Sequence, residues 1–167
     1  QHLQILLSST NQIRTVAESL KDTNSMFYIG RNNNYPIALE GALKIKEIAY
    51  IHAEGFSAGE LKHGPFALLG PQTPVVALCP KDDYYEKMLT TIIEIKARDA
   101  PIIALVTAND REIKKYVDNI ISVPATSMLL SPFVNAVACQ LLAYHVAELR
   151  GCSIDKPRNL AKSVTVE

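Results

Sequence analysis

Residues 39–65, LEGALKIKEIAYIHAEGFSAGELKHGP, restrict the possible fold more than any other stretch. They read as a helix with an unusual distribution of charge, followed by a Gly-rich bend. An α-helix turns about 100° per residue. With Glu40 at zero, Lys44 falls at about 40° and Glu47 at about −20°, so the three share one narrow face. Leu39, Ala42, Leu43, Ile45, Ile48 and Ala49 fill most of the remaining circumference. A solvent-facing helix carries a broad polar half, so this pattern predicts a buried helix with a thin charged stripe. Burying charge is costly unless it is paired. Two readings meet that cost. One is an i,i+4 ion pair between Glu40 and Lys44. The other is a stripe facing a cleft where a carboxylate moves protons.

The 167 residues suit one domain with its own core. A formal net charge of zero, with no basic run, argues against nucleic acid as the main partner. No apolar run approaches the roughly 20 residues needed to span a bilayer. The opening at Gln1 shows no signal-peptide pattern and no initiator Met, so a cytoplasmic, excised or processed chain is expected. Cys79, Cys139 and Cys152 are an odd set and read as reduced thiols.

The order of elements is legible from periodicity and punctuation. Residues 4–20 have helical spacing, and MFYIG at 26–30 is a short buried strand. Arg31 to Asn34 form a turn. Pro36 then falls in the first turn of the central helix, where its missing N–H costs nothing. A short strand and loop follow over 53–59, with Gly55 and Gly59 expected to let backbone approach a ligand. Strands are predicted at 74–79, 101–107 and 119–123. Asp82 and Asp83 are expected to cap a helix to about 98, a short helix to occupy 110–117, and a long one to run from 131 to about 150. Gly151 closes that last helix. Short apolar strands alternating with helices predict an α/β fold: a three-layer αβα sandwich around a five-stranded parallel sheet. Ligands in such sheets bind beyond the carboxyl ends of the strands, the edge where the 31–34 and 55–63 loops belong.

Several chemistries are excluded. The chain has no G-x-G-x-x-G, Walker loop or G-x-S-x-G elbow. His2, His52, His63 and His145 lack zinc-site spacing, so no metal is expected. His52 and His145 lie in or beside apolar segments and read as structural. His63 sits in a turn bounded by Gly and Pro, where an imidazole can move protons near neutral pH.

YPIALEGALKIKEIAYIHAEGFSAGELKHGP and the closing DKPRNLAKSVTVE together resemble the second sugar-isomerase (SIS) domain of the glucosamine-6-phosphate synthases, the isomerising glutamine–fructose-6-phosphate aminotransferases. The resemblance spans nearly the whole chain and implies a flavodoxin-like SIS fold. It implies that Glu47 shuttles a proton between sugar C1 and C2, with Lys44 and Glu40 as polar partners on the same face. It implies that His63 assists ring opening in the site of a neighbouring subunit. Lys162, in the catalytic tail 151–167, would form a Schiff base with the open-chain sugar, and Ala161 would offer a backbone contact. Fructose 6-phosphate or glucosamine 6-phosphate is the implied ligand. No cofactor is implied. The implied partners are a first SIS domain, a glutaminase domain and a second copy of the chain.

The departures limit what this segment can do alone. It holds one SIS domain and no Cys-initiated glutaminase. Its GFSAGELKHG loop carries Ser57 but no run of hydroxyls to hold a phosphate. Weak sugar-phosphate binding and no glutamine-dependent amination are expected of the isolated piece. Two alternatives stay open: a glutamine-independent SIS isomerase or deaminase, and a non-catalytic sugar-phosphate-sensing module.

Overall fold

The structure, a computed structural model, describes residues 1–160. Helices α1 (His2–Ser8) and α2 (Thr10–Glu18) precede strand β1 (Ser25–Gly30) and helix α3 (Tyr35–Ala49). Strands β2 (His52–Ser57) and β3 (Val75–Cys79) follow, then helix α4 (Tyr85–Lys96). Strands β4 (Ile102–Thr107) and β5 (Asn119–Val123) lead to the long helix α5 (Ser131–Leu149). The five strands pair in parallel in the order β2-β1-β3-β4-β5, a doubly wound sheet.

Strands β1, β3 and β4 carry near-continuous apolar runs because both sheet faces are covered there. Tyr28, Val76, Leu78, Ile103, Leu105 and Ile121 face a layer built from α1, α2, α3 and α5. Phe27, Ile29, Val75, Ala77, Ile102 and Ala104 face the other way, onto α4 and nearby turns. That second layer is thinner than expected. Residues 110–117 form a single 3₁₀ turn at Ile113–Lys115, not a helix. The Asp110 carboxylate accepts from the backbone N–H groups of Glu112 and Ile113, which favours a turn over a helical ladder.

Two other boundaries move for the same reason. The single helix expected over 4–20 breaks at Ser9, whose hydroxyl donates back to the carbonyls of Ile5 and Leu6. Asp82 does not cap α4 directly. Its carboxylate accepts from the N–H of Tyr84 in a turn, and the helix begins one residue later. The C-terminus of α5 ends as expected. Gly151 takes a φ of 67° and donates to Glu148, and Cys152 donates to Ala147.

Glycines set how closely α3 lies on the sheet. A Cβ on Gly41 would come within 2.8 Å of two Tyr28 ring carbons, and one on Gly55 within 3.0 Å of the backbone of Leu39 and Ala38. Gly55 therefore admits a helix rather than a ligand, which corrects the expectation for that loop. A Cβ on Gly59 would meet the Arg31 guanidinium.

Candidate functional site

The buried face of α3 is made of Ala38, Gly41, Ala42, Ile45 and Ala49. These residues, all small but Ile45, cover only about 100° of the helix. Leu39 and Leu43 are exposed, so the apolar surface does not wrap the charged stripe as the pattern suggested. The stripe itself is partly open. Glu40, Lys44 and Glu47 side chains are 34%, 30% and 29% exposed.

Lys44 ties the stripe together. Its Nζ donates to Glu47 Oε2 at 2.7 Å and lies 3.7 Å from Glu40 Oε1. The hydrogen bond to Glu47 holds the lysine above its usual range; partial burial opposes this, and the nearby Glu40 charge adds to it. The pair at i,i+3 is tighter than the i,i+4 pair expected. Ion pairs this exposed contribute about 0–1 kcal/mol, so structure alone gives little reason to keep three charges together. The hydrogen bond from Lys44 does fix the Glu47 carboxylate in one orientation.

Glu47 borders an open hollow of about 410 Å³, shared with Lys46, Tyr50, His52, Arg158 and Leu160. The fold explains the grouping. Helices α3 and α5 both start at the carboxyl edge of the sheet and run back to its amino edge. There α3 ends beside the first residue of β2, His52, and α5 releases the C-terminal segment. Tyr50 closes α3 in the left-handed region, with φ 57° and ψ 34°. Its hydroxyl accepts the Arg158 backbone N–H at 2.9 Å, and the Arg158 guanidinium lies 4.2 Å from its ring centroid.

His63 lies elsewhere. It is exposed in a 3₁₀ turn, Glu60–His63, beyond the last residue of β2. The hollow of Glu47 includes the first residue of that same strand. Six residues of β-strand span about 20 Å, so one chain carries Glu47 and His63 at opposite edges of the sheet. The His63 turn lies at the carboxyl edge, where the 55–63 loop was expected, whereas Glu47 lies at the amino edge. Lys162 and Ala161 lie outside the described residues.

A second hollow, of about 260 Å³, does open at the carboxyl edge between Lys81, Asp82, Thr107, Thr126, Ser131 and Asn135. Asn135 donates to Asn34 at 2.7 Å and to Ser131 at 3.1 Å, tying the start of α5 to the loop after β1. This hollow contains none of the site residues expected from sequence. Among the described residues no cluster of His, Cys, Asp and Glu is arranged to hold a metal ion.

Sequence reasoning missed Tyr50 and misread His52. His52 is an exposed side chain on the rim of the Glu47 hollow, 3.6 Å from Glu54, not a structural core residue. Its place at the first position of an edge strand could have marked it as exposed. Tyr50 gave no sequence signal, because a tyrosine is an uncommon residue for a left-handed helix end.

Comparison with known proteins places this geometry among relatives. The SIS domain profile matches residues 19–150. The glutamine–fructose-6-phosphate aminotransferase (isomerizing) of Methanosarcina acetivorans is 58% identical over 165 residues, covering 99% of this chain and 27% of that protein. The chain thus spans about a quarter of the length of such relatives. Among solved structures, the C-terminal domain of glucosamine-fructose-6-phosphate aminotransferase from Francisella tularensis superposes with a TM-score of 0.82 at 38% identity, covering 90% of this chain and 43% of that one. Glucosamine-6-phosphate deaminase from Thermotoga maritima does so with a TM-score of 0.69 at 29% identity, covering 93% and 45%.

Proposed function

Because this chain belongs to the SIS domain family, we propose that it is the isomerase part of an enzyme that makes glucosamine 6-phosphate and glutamate from fructose 6-phosphate and glutamine. The observation that carries the reading is the shared hollow: Glu47 and the end of the C-terminal segment, Arg158 to Leu160, line one cavity. Lys162 follows Leu160 by two residues, a span of at most about 7 Å. An amine on that segment is therefore within reach of a sugar held over Glu47. The identity of 58% to an aminotransferase outweighs the 29% to a deaminase, which favours the glutamine-dependent reaction.

In this reading His63 of a neighbouring copy assists opening of the fructose ring. The Lys162 amine attacks the C2 carbonyl, and loss of water gives the imine. Ammonia then adds to the imine carbon and releases the Lys162 amine, leaving an imine at C2, and Glu47 moves a proton from C1 to C2 to give the 2-amino aldose. One carboxylate serves both carbons because they are adjacent, and a helix held against the sheet keeps it still. Lys44 balances its charge and holds its orientation. The imine-forming lysine must be neutral to attack, and the Arg158 guanidinium four residues away is a cation that would favour that state. Because Glu47 and His63 lie at opposite edges of one chain, the working unit is a homodimer, the commonest closed arrangement. The first SIS domain and the glutaminase of the longer chain supply phosphate contacts and ammonia.

Borohydride reduction in the presence of fructose 6-phosphate tests the assignment. The full-length enzyme should yield a covalent adduct on Lys162, found by peptide mass. Lys162→Ala should yield none, and equal labelling of that variant refutes the role. Glu47→Gln should still be labelled but should lose isomerisation by about 100-fold or more.

A further inference from the structure

We propose that Tyr50 is a positioning residue that clamps the C-terminal segment to the end of α3 and so holds Arg158 to Leu160 at the rim of the Glu47 hollow. The proposal rests on the reading that Lys162 forms the imine, and it adds the element that sets where that lysine starts from.

Two separate contacts converge on this one side chain. The Tyr50 hydroxyl accepts the Arg158 backbone N–H at 2.9 Å, and its ring receives the Arg158 guanidinium at 4.2 Å. The first fixes the main chain, the second the side chain. The backbone on each side of the contact is unusual. Tyr50 has a φ of 57°, and Asn159, immediately after Arg158, has a φ of 62°. Glycine or asparagine ends a helix in the left-handed region at less steric cost than tyrosine. Helix termination alone therefore does not account for tyrosine at this position; the contacts with Arg158 do. Asparagine tolerates the left-handed region, so the chain can turn directly after the clamp and carry Leu160 onto the hollow.

The consequence for catalysis is a matter of reach. From Arg158 to Lys162 the chain spans at most about 14 Å. With Arg158 fixed at the rim of the hollow, the Lys162 amine is tethered within that span of it. With Arg158 free, the segment is tethered further back and the effective concentration of the amine falls. Tyr50 touches neither of the reacting carbons in this scheme, so its loss should lower kcat more than it raises KM.

The test uses Tyr50→Gly, which removes both contacts and suits the left-handed backbone, and Tyr50→Phe, which keeps the ring and removes the acceptor. Trypsin can cut after Arg158, and release of the residues beyond it from the full-length enzyme reports the clamp directly. Release should be slow in the parent, at least about tenfold faster in Tyr50→Gly and intermediate in Tyr50→Phe. Equal release from all three overturns the clamp, whatever the enzyme does. In the full-length enzyme, borohydride trapping on Lys162 should slow by about tenfold in Tyr50→Gly, with KM changed less than kcat. A parent that traps, with a Tyr50→Gly variant that traps as fast despite quicker proteolysis, overturns the positioning role. A parent that never traps overturns the imine reading and, with it, the catalytic role of Tyr50, while proteolysis still decides whether the clamp exists. If Tyr50→Gly fails to fold, Tyr50→Phe alone decides through the same two measurements.

Discussion

At the scale of single residues, Lys44 gathers the charges of α3, bonding Glu47 at 2.7 Å and lying 3.7 Å from Glu40. Glu40, Lys44 and Glu47 share a face because helical spacing is local, and a window of eight residues is enough to see it. Whether Leu39 and Leu43 meet core or solvent depends on which neighbour packs there, and spacing carries no record of that. Glycine was the other blind spot. Gly55 looked like room for a ligand, yet its missing Cβ admits the backbone of α3. This gives an ordered prediction for thermal or denaturant unfolding. Gly41→Ala puts a methyl against the buried Tyr28 ring and should cost about 1–3 kcal/mol, the usual range for overpacking. Gly55→Ala should cost at least as much, since a helix backbone rather than a side chain must move. Gly70→Ala, with nothing within 4 Å, should be close to neutral.

Among the elements, all five strands and the three longest helices were legible from apolar runs, Pro and Gly. The shorter pieces were not, because polar side chains there compete with the helical ladder. Ser9 splits a helix, Asp82 delays one, and Asp110 replaces one with a turn. Asp118 shows the same chemistry holding elements together. At the head of β5, its carboxylate accepts from Lys96 at the end of α4 and from the N–H of Ile102 at the start of β4, at 2.7 and 2.8 Å. Burial pushes its pKa up, but these two bonds, with the Lys96 charge and its own backbone N–H, together outweigh burial and hold it below the usual carboxylate range. The sign follows. A carboxyl group lowered in the folded state stabilises above its unfolded pKa, and that contribution fades as pH falls through the folded one. Asp118→Asn should therefore be less stable than the parent near pH 7. The gap should close below about pH 4. Denaturant midpoints across that range check it, and a gap that stays constant would rule out the charged form as its source.

For the molecule as a whole, the decisive fact is that α3 crosses the full depth of the sheet. Glu47 is carried to one edge, while the His63 turn stays at the other. The sequence held both residues, but their separation follows from strand direction and connection, which only the folded chain displays. If His63 serves a neighbouring copy, two inactive full-length variants should rescue each other. Mixing Glu47→Gln with His63→Ala under conditions that exchange subunits should restore about a quarter of parental turnover, since half the pairs are mixed and each has one intact site. No recovery would mean that each chain completes its own site. Such an arrangement would make turnover depend on how much enzyme is in the tube. Below the concentration at which copies part company, activity per molecule would vanish even though every subunit remained folded, and it would return on reconcentration at a rate set by two subunits finding each other.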